Sequence, residues 1–362
     1  MMNRQRFRVA LVGCGYIARR VHLPLLRNSK NVDLVAVCDI DSKKATEASK
    51  DYGVRDTYTH LTDIPESETP DIVDVCTPPA THVRIVKEAF EMGSHCFLEK
   101  PIAVRVSEAD ELIQISREKG LKLFVLHNYS YVPCIRKARQ IISKGKLGKP
   151  LWAETRYLTS LERERFYDGN HWIHKLPGGI LNSELLPHLL MLILDFVGSP
   201  MIESKVITNK VRNLPYVPAD ELKMSMLSST KALGYVGLSF NSPIFSHTLE
   251  VIGDQGGIFV DHLTQTVVYR KAPASSSHAD SEVTSPIRRG SWALNELLQK
   301  LTGVTAVAMN TALGRYKMMS EGHRYLFERA FDELNGGHHY PVDLEKCREV
   351  VRLLETVYEH VP

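Results

Sequence analysis

The apolar run Val9 to Val12 opens directly into Gly13-Cys14-Gly15-Tyr16-Ile17-Ala18, and a helical pattern follows through about Asn28. A strand that enters a helix through so short a glycine turn is the start of a β-α-β unit. The first third of the chain keeps that alternation. Strands are expected at Arg8 to Val12, Val32 to Cys38, Ile72 to Cys76, His95 to Leu98 and Leu121 to Leu126. Helices are expected between them at Ser42 to Tyr52, Thr81 to Met92 and Ser107 to Lys119, with Gly93 and Gly120 as stops. Near-continuous apolar strands separated by helices define a parallel sheet covered on both faces. Residues 1–127 therefore read as a doubly wound, Rossmann-type α/β domain.

The chain has 362 residues, too many for one ordinary core, so a second domain is expected over residues 128–362. There the pattern changes. Pro133 to Lys144 reads as a helix, Lys149 to Tyr157 as a strand, and Leu185 to Val197 as a buried helix. Between Ile202 and Arg270 six strand-like runs are linked by Gly, Pro, Asn and Asp with no helices between them, which predicts a large, open, mostly antiparallel sheet. Residues 271–290 are polar and aperiodic and read as a mobile loop. Helices are expected at Trp292 to Leu313, Tyr325 to Leu334 and Leu344 to Tyr358.

Composition narrows the function classes. With 43% apolar and 24% charged residues the chain reads as globular. A net charge of +3 and the lack of any Lys/Arg stripe argue against a nucleic-acid surface. The longest apolar stretch, Leu185 to Val197, is too short to span a bilayer and carries His188 and Asp195, so no membrane role is expected. Met1 to Arg8 is polar and basic, unlike a secretory leader. Six scattered cysteines without a CxxC pair suit a reducing cytoplasm.

The glycine turn is also a chemical signal. Gly13 permits the tight bend, Gly15 lets a pyrophosphate approach the backbone, and a small Ala18 allows close helix–strand packing. Tyr16 and Ile17 open the helix whose free N–H groups face that charge. Asp39, about twenty residues on at the end of a strand, is placed to accept from the adenosine ribose hydroxyls. An acid there favours NAD, while Lys43 and Lys44 leave NADP open. Lys100 follows the buried run Phe97-Leu98 and precedes Pro101, so it is expected at the carboxyl edge of the sheet, where open α/β sheets bind ligands. A lysine there can polarise a substrate oxygen or, with a lowered pKa, take its proton.

Thr77-Pro78-Pro79-x-x-His82 and Glu99-Lys100-Pro101 give the chain its resemblance to the Gfo/Idh/MocA family, the glucose–fructose oxidoreductase and inositol dehydrogenase group. The resemblance continues through Gly178-Gly179, His188, the run Thr248 to Gly257, and Pro341-Val342-Asp343, and so covers nearly the whole chain. It implies a nicotinamide cofactor flanked by Thr77, Pro78, Pro79, His82, Glu99, Lys100 and Asn128. It implies catalysis by Lys100 and His188, with Glu184 standing where relatives carry an aspartate and Leu186 where they commonly carry a glycine. Tyr129, Arg156, Trp172 and His174 become candidate substrate contacts beside Lys100 and His188. His171 and His174 are three apart, but no further ligand matches their spacing and relatives need no metal, so none is expected.

The resulting expectation is an NAD(P)-dependent oxidoreductase acting on a secondary hydroxyl or ketone of a sugar, cyclitol or nucleotide sugar. Two alternatives stay open: a glycosidase working through transient oxidation by a retained cofactor, and a non-catalytic dinucleotide-sensing regulator. The resemblance further implies a homodimer or homotetramer formed through the outer face of the antiparallel sheet. The helix from Trp292 to Met309 is left to an oligomer contact, a lid, core packing or a membrane surface.

Overall fold

The computed structural model describes residues 6–164, 168–179, 185–272, 286–312 and 318–361. They form two compact units, one built from Met1–Asn128 with Met319–Glu355 and the other from Tyr129–Met318 with Thr356–Pro362.

The first unit is built on six strands: β1 (Phe7–Val12), β2 (Val32–Cys38), β3 (Asp56–Tyr58), β4 (Ile72–Val75), β5 (His95–Glu99) and β6 (Leu123–Leu126). Every pairing is parallel, in the order β3-β2-β1-β4-β5-β6, so the winding reverses between β1 and β4. Val9, Ala10, Leu11, Val73, Phe97, Leu98 and Val125 are buried along the sheet, as strands covered on both faces require. The crossover helices Ser42–Tyr52, His82–Glu91 and Val106–Lys119 agree with the sequence expectation to within about a residue. The short edge strand β3 was not expected, because three residues carry no readable alternation.

The second domain is expected over residues 128–362, whereas the compact units place Asn128 and Met319–Glu355 with the first. Phe327 and Phe331, from the helix Met318–Leu334, pack edge-on against Phe97 of β5 at 5.0 and 5.4 Å, and Phe331 stacks on Phe7 of β1. Tyr340 Oη donates to the Val125 carbonyl of β6 at 3.0 Å. An amphipathic helix shows that one face is buried but not which sheet buries it.

The second unit carries β7 (Pro150–Ser160), β8 (Met201–Asn209), β9 (Glu221–Ser228), β10 (Leu233–Ser239), β11 (Asn241–Gly253), β12 (Gly256–Asp261) and β13 (Thr266–Lys271). Their order is β13-β12-β11-β7-β10-β9-β8, antiparallel throughout except for β7 with β10. Strand alternation assigns the two faces. Ala153, Thr155 and Tyr157 are buried on one face of β7, while Arg156, exposed, and Trp152 and Glu154, partly so, lie on the other. The buried face lies under the apolar helix Leu186–Val197: Gly234 of β10, in register with Ala153, has no room for a Cβ beside Ile193 of that helix.

The expected loop over residues 271–290 is narrower at both ends. Lys271 still belongs to β13, and a helix, Pro286–Ala312, begins before Trp292 and runs along β13, where Gln299 Oε1 accepts the Tyr269 N–H at 3.0 Å. Residues 273–285 lie outside the described residues.

Candidate functional site

In the first unit the loops after β1 and β4 meet where the strand order reverses. Gly13 has φ +95°, and a Cβ on it would stand 2.8 Å from both the Cys76 carbonyl oxygen and Thr77 Cγ2. No side chain fits there. Gly15 is exposed, and a Cβ on it would meet nothing within 4 Å, so its backbone faces open space at the start of a helix. Asp39 closes the far side of the turn: Oδ2 accepts the Cys14 N–H at 2.8 Å and Oδ1 accepts the Asp41 N–H at 2.9 Å. Tyr16 is 46% exposed, Ile17 is half-buried and Ala18 is fully buried against the sheet. This open turn at a switch point, with an acid at the end of the neighbouring strand, fits the pyrophosphate and ribose of a dinucleotide.

The helix after the turn departs from expectation. Ala18–His22 is a π-helical turn, and Leu23–Arg27 then continues as an α-helix. The wider turn buries Ala18, Val21 and His22 together. His22 Nδ1 lies 2.8 Å from Asp74 Oδ2 and its Nε2 lies 2.8 Å from Glu99 Oε1. Burial opposes charge on His22, but Asp74 and Cys76 beside it outweigh burial and hold its pKa well above the usual value. Burial likewise opposes charge on Glu99, yet hydrogen bonds from His22 and His323 hold its carboxyl well below the usual range.

The side chains of two residues expected beside the cofactor, Glu99 and His82, are directed into the interior. The Glu99 carboxylate is turned into the interior, where Oε1 meets His22 and, at 2.9 Å, His323 Nε2, while Oε2 accepts the Lys100 N–H at 3.3 Å. The His82 ring is buried, with Nδ1 at 2.9 Å from the Pro101 carbonyl and Nε2 at 3.0 Å from the Thr77 carbonyl. The ring sits between the Lys100 loop and the Thr77-Pro78-Pro79 loop, and burial lowers its pKa, so its one N–H serves one of the two carbonyls. Asn128 is also buried, its backbone so close to Gly322 of the helix Met318–Leu334 that no Cβ fits between them. Lys100 remains half-buried at the end of β5, next to β4 and its loop.

In the second unit His188 sits in the first turn of the helix Leu186–Val197, just after Pro187. Tyr129 stacks on it, ring centres 4.0 Å apart and 12° from parallel. Behind Tyr129, His247 of β11 stacks on His262 at 3.8 Å, and Tyr157 of β7 meets His247 edge-on at 5.3 Å. Burial pushes His262 down to about 3, and burial together with His262 puts His247 well below its usual value, so both rings are neutral. Arg156 does not join this group. It is on the opposite face of β7, where the Cβ position of Gly237 falls between it and Lys223, and it pairs loosely with Glu154 at 3.6 Å. Trp172 and His174 lie in the short 3-10 turn Trp172–Lys175, with His174 edge-on to Tyr216 at 4.7 Å. Glu184 lies outside the described residues. His22, Asp74, His323, His247 and His262 were not found by sequence reasoning. Their only signal is a polar residue at an inward position of a strand or helix.

Residues 7–127 match the model of the oxidoreductase family with an NAD-binding Rossmann fold. Residues 135–259 match the model of the GFO/IDH/MocA C-terminal domain. The first unit thus carries an NAD-binding Rossmann domain, and the chain belongs to the GFO/IDH/MocA family. Among curated relatives, D-glucoside 3-dehydrogenase of Escherichia coli is 28% identical over 207 residues, 56% of this chain and 57% of that protein. An inositol 2-dehydrogenase/D-chiro-inositol 3-dehydrogenase of Lactiplantibacillus plantarum is 30% identical over 165 residues, 44% of this chain and 46% of that protein. The chain spans about half the length of the curated relatives it matches. The crystal structure of the WlbA dehydrogenase from Bordetella pertussis, in complex with NADH and UDP-GlcNAcA, superposes with a TM-score of 0.76 at 18% identity, covering 99% of this chain and 96% of that one. At that identity it shows a shared fold. Among the described residues no helix is long and apolar enough to cross a membrane.

Proposed function

We propose that this protein is an NAD(H)-dependent oxidoreductase that moves a hydride between the nicotinamide and a secondary hydroxyl or ketone of a sugar, cyclitol or nucleotide sugar. The observation that carries this reading is the half-buried Lys100 at the carboxyl end of β5, beside the β4 loop that meets the glycine turn. A nicotinamide bound by this domain supplies the hydride acceptor. Lys100 offers a cation for the oxyanion that develops as the substrate is oxidised. His188, held by the Tyr129 ring, is the base that takes the hydroxyl proton. Names such as D-glucoside 3-dehydrogenase and inositol dehydrogenase among the relatives support a carbohydrate-type substrate.

The six cysteines are all free and buried, which supports a reducing, cytoplasmic setting. A homo-oligomer formed through the outer sheet face completes the proposal. The test is mass spectrometry of small molecules released from the purified protein, then a NAD(H)-coupled screen of sugars and nucleotide sugars. Lys100→Met and His188→Asn are expected to lower kcat by roughly 10²–10⁴ with NADH affinity little changed. Full activity in both variants, on any substrate found, would remove both assignments.

A further inference from the structure

The charged cluster around His22 is used by none of the roles above. His22 is fully buried, and its ring nitrogens face carboxylates on both sides, Asp74 from β4 and Glu99 from β5. A neutral imidazole has one N–H and can donate to only one of them, so with both carboxylates ionised the two bonds call for the imidazolium. Cys76 Sγ lies 3.1 Å from Nδ1, and the Phe327 and His323 rings stand edge-on at 5.3 and 5.0 Å. His22, Glu99 and His323, and likewise His22, Asp74 and Cys76, bring three ligand-type atoms close together. Their spacings of 2.8–3.1 Å are hydrogen bonds, and a ring with N–H on both sides has no lone pair for a metal.

Glu99 is the link to chemistry. One of its oxygens accepts from His22 and His323, and the other accepts the Lys100 backbone N–H. We propose that His22 is a positioning residue for Lys100: by fixing the Glu99 carboxylate it sets the backbone from which the lysine extends, and it couples the helix of the glycine turn to the residue that meets the substrate. The proposal rests on the reading of Lys100 as the catalytic cation. Removing the imidazole would leave two buried carboxylates facing each other, and Glu99 would lose the geometry in which it holds Lys100.

Two near-isosteric variants separate positioning from plain stability. In His22→Gln the amide N–H₂ reaches about as far as Nε2 and keeps the bond to Glu99. In His22→Asn it reaches only as far as Nδ1 and keeps the bond to Asp74 instead. Both are expected to melt lower. Measured on folded protein, the Asn variant should lose about tenfold or more in kcat, the Gln variant should recover most of it, and NADH affinity should stay within about twofold in both. Should the Asn variant not fold, Glu99→Gln is expected to give the same kcat loss at unchanged NADH affinity. Equal kcat in both His22 variants would overturn the proposal, as would one tightly held metal ion per chain. Lys100→Met separates the layers. If it is inactive while His22→Asn keeps full kcat, the positioning proposal falls and the reading of Lys100 stands. If it is active, both fall.

Discussion

Gly13 and Gly15 stand two residues apart and are constrained by different things. At Gly13 the φ of +95° and the Cβ position 2.8 Å from the Cys76 carbonyl make any side chain a strain on the loop itself. At Gly15 a Cβ meets nothing in the protein, so only a ligand would feel it. Gly13→Ala is therefore expected to cost roughly 1–3 kcal/mol of stability and to weaken NADH binding as well. Gly15→Ala is expected to leave Tm unchanged and weaken NADH binding by about tenfold or more. Thermal melts beside NADH fluorescence titrations check both, and a Gly15→Ala protein that melts low and binds normally would reverse the assignment. The glycine turn and the acid at the end of the next strand were legible in the sequence because they follow one another within one β-α-β unit, whereas the contact of Gly13 with Cys76 was not. The fate of Glu99 was not. Its carboxylate is claimed by His323, 224 residues further on, and no local pattern shows that.

Among the elements, strands and helices with regular alternation were readable, and Val32–Cys38, Leu233–Ser239 and Leu344–Tyr358 end where the pattern ends. The π turn at Ala18–His22 was not readable, since the carboxylate that its buried His22 meets, Glu99, is 77 residues further on. The ring column of the second unit was equally hidden, because His188, His247 and His262 come from three elements. That column makes a pH prediction. A histidine with an ordinary value of 6.5 that falls to about 3 when buried binds its proton in the unfolded chain first. The unfolded state then holds more protons between those values, so stability is complete above the ordinary value and is lost as pH falls towards about 3. The slope from His262 is at most about 1.4 kcal/mol per pH unit. His262→Phe keeps a ring on His247 and removes the titration. Its Tm is expected to fall less than that of the unaltered protein between about pH 7.5 and about pH 5. Parallel acid losses in the two proteins would show that another group sets the slope.

The scale of the whole molecule turns on the open face of the seven-stranded sheet. Ile207, on the edge strand β8, is 71% exposed on that face, in a hollow shared with Trp152, Tyr235, Lys205, Lys223 and Glu154. Exposed apolar area rimmed by charge marks an interaction surface. The two lysines and the glutamate also make it self-complementary, because a two-fold axis through the hollow can place each Glu154 against a lysine of the other copy. The helix Pro286–Ala312 offers a rival surface, with Leu294, Leu297, Leu298, Leu301 and Val304 exposed along it. Charge placed in one surface at a time decides between them. Ile207→Glu is expected to reduce the particle mass in light scattering to that of one chain, and Leu297→Glu with Leu301→Glu to leave it unchanged. The opposite pair of outcomes would move the interface to the helix. A single-chain mass for the unaltered protein would end the oligomer proposal. The Ile207 substitution lies on the face opposite to the His188 column, so NADH affinity should survive it, and any kcat lost with the partner would measure what assembly contributes to catalysis.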